Sequence, residues 1–220
     1  MVEMRKKQDT ALTAQPTSQK SIWPYGVFAI GIVPVYTFLF ACQGDLITTN
    51  LSQLGNRPGS HSRFIFWGLL CATFFFVLFT RIFEMAGYGG AVGRGLLLGA
   101  CASFVLCVLL PFVPEKYPLA AKWHNKTGIM AALLTAALSL VLSLCVRRVD
   151  RRLCVQSVLL WAVQVGVCMV MVRTSGISGL VESVFIVWTG LHAYRIMHGL
   201  QKMCAARSEA AEAAALLESA

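Results

Sequence analysis

Side chains capable of chemistry are concentrated in three connecting segments that separate long apolar runs. Carboxylates, imidazoles, hydroxyls, amides and cations grouped in this way are the materials of a binding or catalytic site. If the apolar runs are antiparallel helices, the three segments meet at one end of a bundle or in a cavity that opens there. The candidate binding residues are Asp45, Ser52, Asn56, His124, Lys126, Arg173 and Glu182.

Glu182 is the one acidic residue clearly placed inside an apolar run. An ionisable group at such a depth is costly, which favours a functional role. It also lies about two residues into its predicted helix, where the helix dipole stabilises an anion and where Arg173 or Lys126 could pair with it. Both interpretations stay open. In either case we expect Glu182 to face the bundle interior, near His124, Lys126 or Arg173.

No local motif assigns a reaction to these residues. Ser52 is not surrounded by a G-x-S-x-G elbow, so serine hydrolase chemistry has no motif to support it. His61 and His124 lie in the candidate segments, whereas His192 and His198 belong to the other end of their run, and no H-E-x-x-H element is present. The sequence predicts neither metal nor cofactor and leaves catalytic residues unassigned.

The eight cysteines contain no C-x-x-C pair. Most lie within apolar runs, where cysteine behaves as a small hydrophobe. Cys42 has a second interpretation, because it follows Leu39-Phe40-Ala41 behind a basic N-terminus, as a lipoprotein cleavage site would. The bulky Phe40 and the long apolar run argue against cleavage.

Composition indicates a membrane protein. Hydrophobic residues make up 57% of the 220 residues and charged residues only 13%, whereas a soluble domain is nearer half apolar and a quarter charged. The net charge of +9 is explained by basic loops at a membrane surface. The predicted partner is therefore membrane lipid and not nucleic acid.

Six apolar segments are long enough to cross a bilayer, which needs about 20 helical residues. The predicted fold is an all-α, polytopic bundle of six transmembrane helices in one domain, residues 21–200. Residues 1–20 are predicted to be a disordered cytoplasmic tail, and residues 201–220 a cytoplasmic Ala/Glu-rich helix. The six segments are 22–42, 64–80, 95–113, 127–146, 153–172 and 180–197.

Orientation follows from the distribution of Lys and Arg. Of the 19 basic residues, 13 lie in the two tails, the even-numbered loops and the end of the last segment next to the C-terminal tail, and 6 lie in the odd-numbered loops. Because basic loops stay in the cytoplasm, both termini are predicted to be cytoplasmic. The candidate residues then lie on the outer side of a plasma (inner) membrane.

Small residues repeat every four positions in the third and fourth segments. Such stripes let two helix backbones approach closely. We expect these consecutive, antiparallel helices to pack on each other, with a homodimer face as the alternative. The two stripes are Gly95, Gly99 and Ser103, and Gly128, Ala132 and Ala136.

Four short elements together resemble a known pattern. They are Leu51-Ser52-Gln53-Leu54-Gly55; Pro111-Phe112-Val113-Pro114 followed by His124; the arginine-rich loop 147–152; and Gly179-Leu180-Val181-Glu182 followed by Trp188 and Arg195. Over residues 22–200 the chain resembles the bacterial six-helix membrane family called domain of unknown function 998, and more distantly Frag/DRAM-type membrane proteins. Ser183 stands where that family often has arginine, and the family's second histidine is absent. The resemblance implies the fold and no established reaction.

Two classes of function fit these observations. The first is binding of a lipid headgroup or small amphiphile in an outward-facing cavity lined by Asp45, Ser52, His124 and Glu182. The alternative is an intramembrane hydrolase or transferase acting on lipid, with Glu182 or Asp45 as base and His124 as its partner. A small dimeric transporter is a further alternative. Whether the protein is an enzyme stays open at this point.

Overall fold

The computed structural model describes residues 21–219, and within that range every regular element is helical. The all-α class is confirmed. The predicted tail at residues 1–20 lies outside the described residues. The helices, numbered here in chain order, are α1 Trp23–Ala41, α2 Leu51–Gly55, α3 His61–Met85, α4 Ala91–Leu109, α5 Pro118–Cys145, α6 Arg151–Ser175 and α7 Gly179–Ser219.

Five of the described helices, α1, α3, α4, α5 and α6, are long and apolar enough to cross a membrane. The chain is therefore a multi-pass membrane protein. The last helix, α7, is not among the five, because Glu182, His192 and Arg195 interrupt its apolar stretch. A sixth crossing stays a prediction.

Several helix boundaries differ from the predicted segments, and three of the differences bear on the site or the tail. Helix α4 ends at Leu109, and Pro111 and Pro114 follow in a non-helical stretch, because proline lacks the N–H that would continue a helix. Helix α5 begins at Pro118 and not near the predicted residue 127, so His124 lies in its second turn. The predicted tail helix is the uninterrupted end of α7.

An aromatic cluster joins α1 to α3 at the end of the bundle where the candidate residues lie. Phe40 stacks on Phe64 and Trp67 with ring centroids 5.9 and 6.2 Å apart. The indole Nε1 of Trp67 donates a hydrogen bond to Thr37 Oγ1 at 2.9 Å, which satisfies both buried groups. These side chains form a rigid wall beside the candidate site.

Helices α4 and α5 pack on each other as the small-residue stripes predict. A Cβ atom added at Gly99 would lie 3.2 Å from Leu134 Cδ1, and one at Gly128 would lie 3.2 Å from Cys107 Sγ. Gly95 does not share in this contact, since a Cβ atom there meets no described heavy atom within 4 Å. The close approach is therefore centred on Gly99 and Gly128.

The Gly99→Leu variant is expected to lose about 1–3 kcal/mol of stability, because the added side chain overpacks the contact with Leu134. Gly95→Leu is the matched control on the same helix and is expected to melt like the wild type. The measurement is the melting temperature in detergent. Equal melting temperatures for the two variants would contradict the pairing of α4 with α5.

Candidate functional site

Three connecting segments meet at one end of the bundle, here called the site end and formed by residues 42–60, 110–117 and 176–178. The backbone N–H of Gly179 donates to Thr49 O at 2.8 Å, and that of Leu180 donates to Leu46 O at 2.9 Å. The first connection thus supplies acceptors for the unpaired N–H groups that open α7. These bonds fix the first connection against the last helix.

The short helix α2 is defined by a capping box. The Asn50 side chain accepts from the Gln53 N–H at 2.7 Å, and the Gln53 side chain accepts from the Asn50 N–H at 3.0 Å. Leu51 and Leu54 are buried against the bundle. The box and the buried leucines fix the rotation of α2 and therefore the position of Ser52.

Ser52 and His124 are in direct contact. Ser52 Oγ lies 2.7 Å from Nε2 of His124, and Nδ1 of the same ring lies 2.9 Å from the backbone oxygen of Leu110. His124 is 2% exposed, and Phe112 packs against its ring with centroids 5.2 Å apart. The imidazole is thus held between α2 and the segment that follows α4.

Asn56 joins the same two segments a second time. Its Nδ2 donates to the backbone oxygen of Ser52 at 2.8 Å, and its Oδ1 accepts from the backbone N–H of Phe112 at 3.0 Å. Because both ends of one amide are used, α2 cannot slide along the 110–117 segment without breaking a hydrogen bond. Asn56 therefore maintains the distance between Ser52 and His124.

Glu182 has a different partner from the cations that the sequence suggests. Its Oε2 accepts the backbone N–H of Leu51 at 2.7 Å, so the carboxylate satisfies the first turn of α2. Among residues 21–219 no cationic side chain lies within ion-pair distance of it. Lys126 is exposed with its ammonium 4.9 Å from the Trp123 ring centroid, and Arg173 is also exposed.

Asp45 is placed away from the Ser52–His124 contact. It is exposed, and its Oδ1 accepts the backbone N–H groups of Ile47 at 2.8 Å and Thr48 at 2.9 Å. These hydrogen bonds stabilise the charged carboxylate, the one from Thr48 most strongly, and they hold the pKa of the Asp45 carboxyl below its usual value. Asp45 therefore shapes the first connection and does not line the cavity described next.

A cavity of about 600 Å³ begins beside Ser52, His124 and Glu182 and extends between the helices. Its walls are overwhelmingly apolar and include Phe104 and Ile186. This volume lies within the range of small-molecule sites, which combine apolar walls with a few converging polar groups. Among the described residues no three His, Cys, Asp or Glu side chains cluster as a metal site would require.

Of the predicted site residues, four therefore come together: Ser52, Asn56, His124 and Glu182. Two contributors to this region had no clear signal in the sequence. Cys107 Sγ lies 3.6 Å from His124 Nε2, and in the chain it is one of several cysteines in apolar runs. Gln164 donates to Thr189 Oγ1 at 2.8 Å beside the cavity. The sequence signal that could have identified Gln164 is its polar amide within an apolar run.

No known protein family, curated protein or solved structure matches the chain. Function is therefore inferred from the cavity and from the groups at its polar end.

Proposed function

We propose that the protein binds one amphiphile, with the apolar chain inside the cavity and the head group beside Ser52, His124 and Glu182. The observation that carries this proposal is the cavity itself: about 600 Å³, apolar along its walls and polar where it begins. The chain of a membrane lipid is as apolar as these walls, so it can leave the bilayer for the cavity without an unfavourable change of surroundings. A membrane lipid or lipid fragment has this division into chain and head.

The polar end favours a head group that donates hydrogen bonds. Glu182 brings a carboxylate to the cavity, while Lys126 and Arg173 are exposed and do not line it. An anionic phosphate would meet a carboxylate there without a compensating cation, which is unfavourable. Hydroxyl-bearing or cationic head groups are therefore the expected class.

The binding test is a cavity-filling substitution on α5. Ala132 and Ala137 are both exposed residues of α5, about one and a half turns apart, but only Ala132 lines the cavity. We expect Ala132→Phe to weaken binding of a dodecyl amphiphile about tenfold or more, because the ring occupies the space of the chain. Ala137→Phe is the matched control and should bind like the wild type.

Native mass spectrometry of the detergent-purified chain measures the bound amphiphile. A one-to-one adduct in the wild type and in Ala137→Phe, lost in Ala132→Phe, is the expected pattern. Adducts of equal abundance in all three proteins would place the amphiphile on the lipid-facing surface and refute the proposal.

We also propose six crossings, cytoplasmic termini and an outward-facing site end, as the distribution of basic residues indicates. Two native cysteines test this orientation, because Cys42 is exposed at the site end and Cys204 is exposed in the part of α7 that follows its apolar stretch. A membrane-impermeant maleimide added to intact cells should label Cys42 and leave Cys204 unlabelled until the cells are opened. Cys42→Ser is the control for site assignment, and the reverse labelling order would overturn the orientation.

Family membership and location are part of the same proposal. Three of the four elements that resemble the domain of unknown function 998 family converge on the cavity, through Ser52, His124 and Glu182. That the matching residues lie together in this chain is the support for the resemblance. The location proposed on this basis is a bacterial plasma membrane.

A further inference from the structure

The hydrogen bonds of His124 determine which ring nitrogen carries its proton. The backbone oxygen of Leu110, 2.9 Å from Nδ1, can only accept, so Nδ1 carries the hydrogen. Nε2 is then the acceptor in the neutral ring, and the Ser52 hydroxyl 2.7 Å away is its donor. A hydroxyl held on the free nitrogen of an oriented imidazole is the arrangement of an activated nucleophile.

The position of this pair adds a second, independent observation. Ser52 and His124 both line the apolar cavity at its polar end, and Ser52 is only half-buried. An amphiphile with its chain in the cavity would bring the bond between chain and head group to the level of Ser52. In most lipids that bond is a carboxylic ester or amide.

We propose that Ser52 is the nucleophile and His124 the general base of a hydrolase that cleaves a carboxylic ester of a long-chain lipid. This inference rests on the proposed amphiphile site and adds to it a reaction. It replaces the assignment of Glu182 or Asp45 as base, because Glu182 is bonded to the Leu51 N–H and Asp45 lies outside the cavity.

The reaction balances with water as the co-reactant. Ser52 Oγ attacks the ester carbonyl carbon, the Oγ–C bond forms, and the hydroxyl proton moves to His124 Nε2. The C–O bond to the leaving alcohol breaks, and the proton passes from Nε2 to that oxygen. Water then attacks the acyl carbon and gives a proton to Nε2. The Oγ–C bond breaks, Ser52 regains its proton, and the net products are a carboxylic acid and an alcohol.

Cys107 is the competing nucleophile, since its Sγ lies 3.6 Å from the same Nε2. The hydroxyl of Ser52 is nearer, and it is fixed by the hydrogen bonds of α2 to Glu182 and Asn56. The experiment therefore has to separate the two residues.

The test uses the full chain purified in detergent and two esters, p-nitrophenyl acetate and p-nitrophenyl dodecanoate. We expect hydrolysis of both by the wild type, with a loss of roughly 100-fold or more in Ser52→Ala and in His124→Ala. Ser62→Ala, which removes an exposed hydroxyl on the next helix, should keep the wild-type rates. An alkyl fluorophosphonate should modify the wild type at Ser52, as located by peptide mass spectrometry. Cys107→Ala should still be modified by the fluorophosphonate at Ser52.

Ser52→Cys guards against loss of activity through misfolding, because it keeps a nucleophile of similar size. It should lose fluorophosphonate labelling and gain labelling by iodoacetamide at position 52, relative to Ser52→Ala. Unchanged hydrolysis in Ser52→Ala, or fluorophosphonate adducts absent from Ser52, would overturn the proposal. Loss of activity in Cys107→Ala with Ser52→Ala active would assign the nucleophile to the thiol and also overturn it.

The two esters separate this inference from the binding proposal. If Ala132→Phe slows the dodecanoate and not the acetate, the cavity holds the chain and Ser52 cleaves it. Cleavage of both esters at Ser52 regardless of Ala132→Phe would refute the cavity site and leave the nucleophile standing. Intact dodecyl binding without any cleavage at Ser52 would refute the nucleophile and leave the binding site standing.

Discussion

Replacement of Gly179 by valine is expected to unfold the site end of the bundle. A Cβ atom at this position would lie 2.9 Å from the backbone oxygen of Thr49, and backbone cannot move aside as a flexible side chain can. The first connection would be displaced, together with the bonds from Gly179 to Thr49 and from Leu180 to Leu46. Overpacking and two lost hydrogen bonds together cost about 3–5 kcal/mol.

The matched control for this substitution is Gly166→Val. Gly166 lies in the middle of α6, and a Cβ atom there meets no described heavy atom within 4 Å. Both variants place a β-branched residue in a helix, so their difference in melting temperature isolates the contact at Thr49. We expect Gly166→Val to melt near the wild type and Gly179→Val far below it. Similar melting temperatures would mean that the first connection is not fixed against α7.

The helical architecture was predictable because a long apolar segment can adopt few backbone structures in a membrane. Backbone groups must be hydrogen-bonded within the segment, so each run becomes a helix. The five confirmed membrane-capable helices are those with the most uniform apolar runs. The predicted helix boundaries were less accurate where a proline sets them, as Pro111 does just after α4 and Pro118 does at the start of α5.

The sequence predicted which residues of the candidate site come together better than it predicted their hydrogen-bond partners. Ser52, Asn56, His124 and Glu182 stood out as polar residues beside apolar runs, and all four meet at the site end. Their partners are largely backbone groups, of Leu51, Leu110 and Phe112. Every residue carries such groups, so no residue type in the sequence marks the ones that are used.

The cations illustrate the opposite error. Lys126 and Arg173 were expected beside Glu182 because opposite charges attract, and both are exposed instead. A long cationic side chain near a helix end keeps its charge in water at little cost, whereas bringing it to a buried carboxylate requires desolvation of both groups. The Leu51 N–H satisfies the carboxylate without that cost.

Replacement of Glu182 by leucine is therefore expected to release α2 from α7. The Leu51 N–H would be left without its acceptor in a buried position, which costs about 1–3 kcal/mol. The Ser52–His124 contact depends on the position of α2, so we expect binding of the dodecyl amphiphile to fall with stability. The melting temperature measures the loss of stability, and hydrogen exchange of the Leu51 amide measures the release of α2 from α7.

Glu182→Gln is the variant that separates the hydrogen bond from the charge. Glutamine offers a carbonyl oxygen in the same place, so the Leu51 amide should remain protected and the melting temperature should stay near that of the wild type. Amphiphiles with cationic or hydroxyl head groups should nevertheless bind more weakly, because the carboxylate is gone. If Glu182→Gln destabilises the fold as much as Glu182→Leu does, the charge itself holds the site end together. The preference for hydrogen-bond-donating head groups would then lose its basis, because a charge committed to the fold is not free to select a ligand.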